Sequence, residues 1–140
     1  MDGTMNNDKP KQMLIWRNDL RTSGGQKLPV GKIAAQMSHA SLGAVLSQVT
    51  FGAEELTINA ASGPLREWLD GQFTKISVYV NSEQELVDVI NKAKEAGLIT
   101  SLITDAGHTI FNRVPTITCG AIGPSYPTDL IGITDKLPLL

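Results

Sequence analysis

The sequence predicts a single α/β domain in which a mixed sheet of about four strands carries helices on both faces. Strand-like segments alternate with segments of helical period along most of the chain, the order that crossover helices impose on parallel strands. Near the C-terminus two strand-like segments follow one another directly and can pair antiparallel, which makes the sheet mixed. A length of 140 residues, 41% of them apolar and 19% charged, suits one buried core rather than two.

The elements follow in order. Residues 1–11 are polar and hold little to bury, so they read as a disordered leader before a domain spanning 12–140. Residues 12–19 (QMLIWRND) hold the continuous apolar run from Met13 to Trp16, which fits a strand buried on both faces. The stretch 21–27 (RTSGGQK) has adjacent glycines and polar neighbours, the composition of a mobile loop. Pro29 can open a helix, and Ile33, Met37, Ala40 and Ala44 recur at spacings of four, three and four, so a helix is predicted to about Val49. Lys32, Gln36 and His39 follow the same spacing and lie on one polar stripe beside the apolar one.

Residues 51–63 show at best a weak helical tendency, and 64–70 (PLREWLD) suggest a short helix anchored by Leu65, Trp68 and Leu69. In 74–80 (TKISVYV), Ile76, Val78 and Val80 alternate with Lys75, Ser77 and Tyr79, the period of a strand with one face on the core. Ser82 and Glu85 form a capping box, after which Leu86, Val89, Ile90 and Ala93 mark a helical face that stops at Gly97. Residues 99–105 (ITSLITD) and 116–122 (TITCGAI) are the consecutive strands. A short helix is predicted over 127–134, with Pro127 near its start and Pro138 beyond its end.

Composition narrows the function. No run of about 18 apolar residues exists, so no membrane span and no membrane partner is expected, and the chain is read as cytoplasmic. Cys119 is the sole cysteine, which precludes an internal disulfide, and no Cys/His cluster offers a zinc site; neither metal nor other cofactor is expected. The net charge of −2 conceals an asymmetry, since residues 9–33 carry six basic groups against Asp19, a local +5. Such a stripe suits a phosphate backbone or is simply a solvated face.

In open α/β sheets ligands bind beyond the carboxyl ends of parallel strands, where Asp19 and Asp105 both fall. Gly107 permits a positive φ, so the backbone of Asp105-Ala106-Gly107-His108-Thr109 can turn and bring Asp105 towards Thr109. On composition alone this is either a plain strand-end turn or a reactive loop.

Four stretches resemble the successive motifs of one family. They are 15–20 (IWRNDL), 31–40 (GKIAAQMSHA), 101–109 (SLITDAGHT) and 121–124 (AIGP), and the ending from Asp129 to Leu140 is similar too. Together they are similar to the archaeal and eukaryotic type of peptidyl-tRNA hydrolase over nearly all residues after Lys11. That resemblance implies hydrolysis of the ester joining a peptide to the terminal ribose of tRNA, without metal or organic cofactor. Its expected partner is tRNA carrying a peptide, and a homodimer is admissible. By motif, Lys32 matches the family's functionally important lysine, and Asp105 and Thr109 match the acid and hydroxyl of its DAGxT loop. Gln36 and His39 fill the remaining polar positions of the helix motif, and Arg17 and Lys75 match basic positions suited to RNA phosphate. Met37 and His108 depart from the family's usual residues, and the loop over 21–30 is longer than usual, which bears on RNA contacts.

Chemically, Lys32 suits an oxyanion that forms as water attacks the ester, and Asp105 suits a general base or a water-orienting group. Thr109 either orients water or acts as a nucleophile, which would need a base beside it. His39 is either an ordinary helical histidine or a proton donor to the leaving ribose oxygen, and His108 is a candidate tRNA contact. A catalytically inactive tRNA-binding module of the same fold is the alternative reading, since it would need only the basic residues. A small-molecule sensor would need neither the basic stripe nor the DAGxT loop.

Overall fold

The computed structural model describes residues 8–107, 111 and 113–140. Of the expected leader, residues 1–7 lie outside the described residues, Pro10 is buried, and Lys11 already opens the first strand. Four strands form the main sheet: β1 (Lys11–Arg17), β4 (Lys75–Val80), β5 (Thr100–Asp105) and β6 (Thr116–Ser125), in the order β4-β1-β6-β5. β1 pairs parallel with β4, while β6 runs antiparallel to both β1 and β5. The carboxyl ends of β1, β4 and β5 therefore lie along one edge of the sheet.

Every residue of β1 from Gln12 to Trp16 is buried, as a strand covered on both faces requires. Its side chains divide by parity. Met13 and Ile15 join Val78, Val80, Leu86, Ile90 and Ile122 on one face, under α3 (Glu83–Glu95). Leu14 and Trp16 join Met37, Ala40, Ala44, Cys119 and Ala121 on the other, under α1 (Val30–Leu46). Burying a large aliphatic side chain contributes about 2 kcal/mol, so these two layers are the main source of stability. Gln12 ties α1 to β6, since its buried amide accepts from Ser41 Oγ at 2.5 Å and donates to the carbonyls of Ser41 and Gly123.

The capping sequence works as read, with Ser82 Oγ accepting from the Glu85 N–H at 3.0 Å; the Glu85 carboxylate accepts from the N–H of Asn81, one residue earlier than the usual box. The short helix α2 (Pro64–Asp70) buries Leu65 and Trp68 as expected.

Several boundaries differ from expectation. α1 stops at Leu46, where Ser47 and Gln48 turn the chain into a ribbon of β2 (Val49–Phe51) and β3 (Leu56–Ile58). The sequence showed no strand in 51–63 because three residues are too few for a period-two signal, and cross-strand pairing decides instead. Register places Val49, Ile58, Phe51 and Leu56 on one face of the ribbon and Thr50 with Thr57 on the other. Phe51 and Leu56 are more than 60% exposed. β6 continues three residues beyond the predicted end, to Ser125, still buried. The expected helix over 127–134 is a single 3-10 turn, Pro127–Leu130, because the backbone is already extended at Ile131 and Gly132 takes a positive φ of 82°.

The loop after β1 is closed rather than open. Thr22 N–H donates to the Gln26 carbonyl at 2.7 Å, Arg21 bridges to Lys27, and Leu20 and Leu28 anchor both ends in the core under α1.

Candidate active site

α1 begins above the carboxyl edge of the sheet and runs back across β5 and β6, which brings its first turns over the end of β5. Lys32 and Asp105, 73 positions apart in the chain, meet there in an ion pair of 2.9 Å, with side chains only 17% and 13% exposed. Gln36, one turn along the helix, donates from Nε2 to the same Asp105 Oδ1 at 3.4 Å. The other carboxylate oxygen, Oδ2, accepts the Gly107 N–H at 2.8 Å. Three donors from two elements thus hold the carboxylate in one orientation, and each favours its ionised form.

Gly107 is required by geometry. Its φ is 82°, and a Cβ there would stand 2.6 Å from the Val114 backbone nitrogen, because the returning chain packs directly against it. The Arg113 N–H donates to the Gly107 carbonyl at 2.6 Å, which closes the loop.

Behind the helix lies a buried polar pair. Thr118, fully buried on β6, donates from Oγ1 to Gln36 Oε1 at 2.7 Å, and the Cys119 thiol donates to the Gln36 carbonyl at 3.3 Å. Burial pushes that thiol up to about 11. Gln36 is therefore buried, not part of an exposed stripe as its spacing suggested. The stripe faces the sheet at Lys32 and Gln36 and emerges into solvent at His39, about 10 Å along the axis from Lys32.

Arg17 shares the carboxyl edge with Asp105 but stands two strands away, about 10 Å laterally. Its guanidinium is engaged within the protein: Nε and NH2 bind the Asp19 carboxylate at 3.1 and 2.8 Å, and NH1 donates to the Ile117 carbonyl at 2.9 Å. Lys75 is not brought to this edge. It opens β4 at the opposite end of the sheet, about 20 Å away along the strands, where its ammonium lies 5.1 Å from the Trp68 ring and donates to the Phe73 carbonyl. Thr109 and His108 lie outside the described residues.

Two contributors escaped the sequence reading. Thr118 was one β-branched residue among several in a strand, and nothing in the pattern separated a hydrogen-bonding role from propensity. The Gly107 amide is a backbone donor, for which side-chain composition carries no signal beyond the glycine itself. Among the described residues no group of three or more His, Cys, Asp and Glu could hold a metal ion, and no helix is long and apolar enough to cross a membrane.

Fold and site together define a small α/β protein with a part-buried ion pair: a lysine-clamped carboxylate at the carboxyl end of a sheet strand. Comparison with known proteins places the chain in a family. A family model described as peptidyl-tRNA hydrolase PTH2 matches residues 10–140. The chain is 37% identical over 130 residues to a peptidyl-tRNA hydrolase of Methanopyrus kandleri, covering 93% of this chain and 97% of that protein. It is 40% identical over 133 residues to one from Methanothermobacter thermautotrophicus, covering 93% and 99%. A probable peptidyl-tRNA hydrolase 2 of Dictyostelium discoideum is 36% identical over 131 residues, which are 92% of this chain and 54% of that longer protein. The chain belongs to the peptidyl-tRNA hydrolase PTH2 family.

Proposed function

We propose that the Lys32–Asp105 pair is the catalytic centre of a peptidyl-tRNA hydrolase, which cleaves the ester between a peptide, or an N-blocked aminoacyl group, and the 3′-terminal ribose of tRNA. The chain is an ester hydrolase. The observation that carries the site assignment is the 2.9 Å contact between Lys32 and Asp105, which joins the two sequence motifs at one point. Asp105 takes a proton from water as the water oxygen attacks the ester carbonyl carbon. The positive charge of Lys32 stabilises the oxyanion that forms, an effect of the kind worth roughly 3 kcal/mol of barrier when the group is prepositioned. Collapse breaks the bond to the ribose oxygen, which leaves with a proton. Thr109 is assigned to orienting the water, and His39, further along α1, to the leaving ribose or the adjoining tRNA. Gln36 acts through Asp105, while Arg17 and Lys75 are assigned to tRNA phosphates and His108 to the same surface.

Retention of lysine and carboxylate in contact favours catalysis over an inactive RNA-binding module, which needs positive charge but no paired acid. The test is hydrolysis of N-acetylaminoacyl-tRNA by purified protein in the presence of EDTA. Release of the blocked amino acid supports the reading, and tRNA binding without release supports the module.

The domain is proposed to span 12–140 and to act in the cytoplasm, where translation supplies its substrate. A homodimer is proposed through the β2–β3 ribbon. A two-stranded ribbon is marginal alone in water, and this one leaves Phe51, Leu56 and Ile58 exposed on one face beside a half-buried Val49. Glu54 and Glu55 in its turn repel phosphate, so the face suits neither tRNA nor an anionic lipid surface, and two copies face to face would be self-complementary. Light scattering should give a dimer mass that Phe51→Asp converts to monomer; a wild-type monomer at tens of micromolar contradicts the dimer.

A further inference from the structure

We infer that Thr118 is a positioning residue for this hydrolysis, acting through Gln36 to hold Asp105 as an ionised, correctly aimed carboxylate; the inference rests on the reading of Asp105 as the base. An amide side chain is nearly symmetric in shape, but its two ends differ in chemistry: Oε1 only accepts and Nε2 only donates. An ionised carboxylate only accepts, so Gln36 supports Asp105 in just one of its two flip states, with Nε2 towards Oδ1. In that state Oε1 points into the protein and needs a donor. Thr118 supplies it, at 2.7 Å from a position with no solvent exposure.

The opposite flip would set Oε1 against the Asp105 carboxylate, acceptor to acceptor, and is compatible only with a protonated Asp105. Thr118 Oγ1 would then accept from Nε2 and turn its proton elsewhere, and Cys119 Sγ stands 3.6 Å away. The protonation state of Asp105 and the hydroxyl orientation of Thr118 are thereby linked through one amide. By donating to Oε1, Thr118 favours the flip that favours the carboxylate, and so it lowers the affinity of Asp105 for a proton. The Cys119 thiol, donating to the Gln36 backbone carbonyl, fixes the helix turn on which the amide sits.

The test is a pair of substitutions that separate hydroxyl from shape. Thr118→Val keeps the β-branched volume and removes the donor; Thr118→Ser keeps the donor and removes a methyl group. The relay predicts that Thr118→Val lowers kcat about tenfold, leaves KM within about twofold, and moves the acid limb of the pH–rate profile upward by about one unit. Thr118→Ser should recover most of kcat and return the acid limb to its original position. A packing role predicts the reverse order, since the serine variant leaves a cavity and the valine variant does not. Gln36→Met removes the amide at similar length and should displace the acid limb in the same direction even if Thr118→Val folds poorly. Unmoved acid limbs in Thr118→Val and Gln36→Met, or a serine variant as impaired as the valine one, overturn the relay. Asp105→Asn measured alongside keeps the two readings apart. If it is inactive while Thr118→Val behaves as wild type, only the relay fails; if it turns over normally, the base assignment fails first.

Discussion

Lys32 on the first turn of α1 and Asp105 at the last position of β5 form a 2.9 Å ion pair at the sheet's carboxyl edge. Neither residue is informative alone, and their contact is what turns two motifs into one site. Lys32→Ala should lower kcat by about 10²–10³-fold, the range seen when one preorganised donor to a developing oxyanion is removed. Its affinity for tRNA should fall together with turnover, as single-turnover kinetics and a binding titration would show. An activity within threefold of wild type would remove Lys32 from the mechanism.

Gly107 offers a backbone test of the same centre. Gly107→Ala places a Cβ 2.6 Å from the Val114 nitrogen at a φ of 82°, so the loop must move and the N–H on Asp105 Oδ2 moves with it. Strain at such a position costs about 1–3 kcal/mol. Turnover should fall at least tenfold while the fold is kept, because among the described residues of the loop only Phe111 packs against a core layer. A variant with full activity would mean that the amide contact is dispensable.

The two basic residues assigned to tRNA occupy different settings. Lys75 stands at the far end of the sheet, so Lys75→Ala should flatten the salt dependence of tRNA binding by roughly 0.9 in log–log slope for one lost phosphate contact, without changing turnover of bound substrate. Arg17 also braces β6 and Asp19, so Arg17→Ala should cost stability as well, by about 1–3 kcal/mol in urea unfolding. Equal salt slopes for wild type and Lys75→Ala would take Lys75 off the RNA surface.

The main sheet was legible because its signals are local and repeated. The apolar run of β1, the alternation in β4 and the capping box of α3 each state one period or one cap, and all three elements stand where they were read. The β2–β3 ribbon was not legible, since six residues in two strands fix their state by pairing across a turn. At the site, motif resemblance pointed to Lys32, Gln36 and Asp105, which the fold brings into contact. It was silent on Thr118 and on the burial of Gln36, because helical spacing gives direction around the axis but not which element lies opposite. Lys75 was legible in place, since it falls at the start of the strand predicted over 74–80, and parallel pairing with β1 puts that end far from Asp105.

Cys119 gives a pH-dependent prediction. Its thiol is held protonated by burial, from a usual value of 9.0 up to about 11. The native protein should therefore resist a thiol reagent at pH 8 and react fully once denatured. Because the folded value lies above the unfolded one, the thiol's contribution to stability is complete below pH 9 and is lost as pH rises towards about 11. Rapid labelling of the native thiol at pH 8 would contradict the burial.

The central claim is that Asp105 takes the proton from the attacking water, and Asp105→Asn measures it most directly. The amide keeps nearly the same volume and removes the basic oxygen, so folding and tRNA affinity should remain near wild type while hydrolysis of N-acetylaminoacyl-tRNA falls by at least 10²-fold. A folded Asp105→Asn protein that releases the blocked amino acid at the wild-type rate would contradict the account.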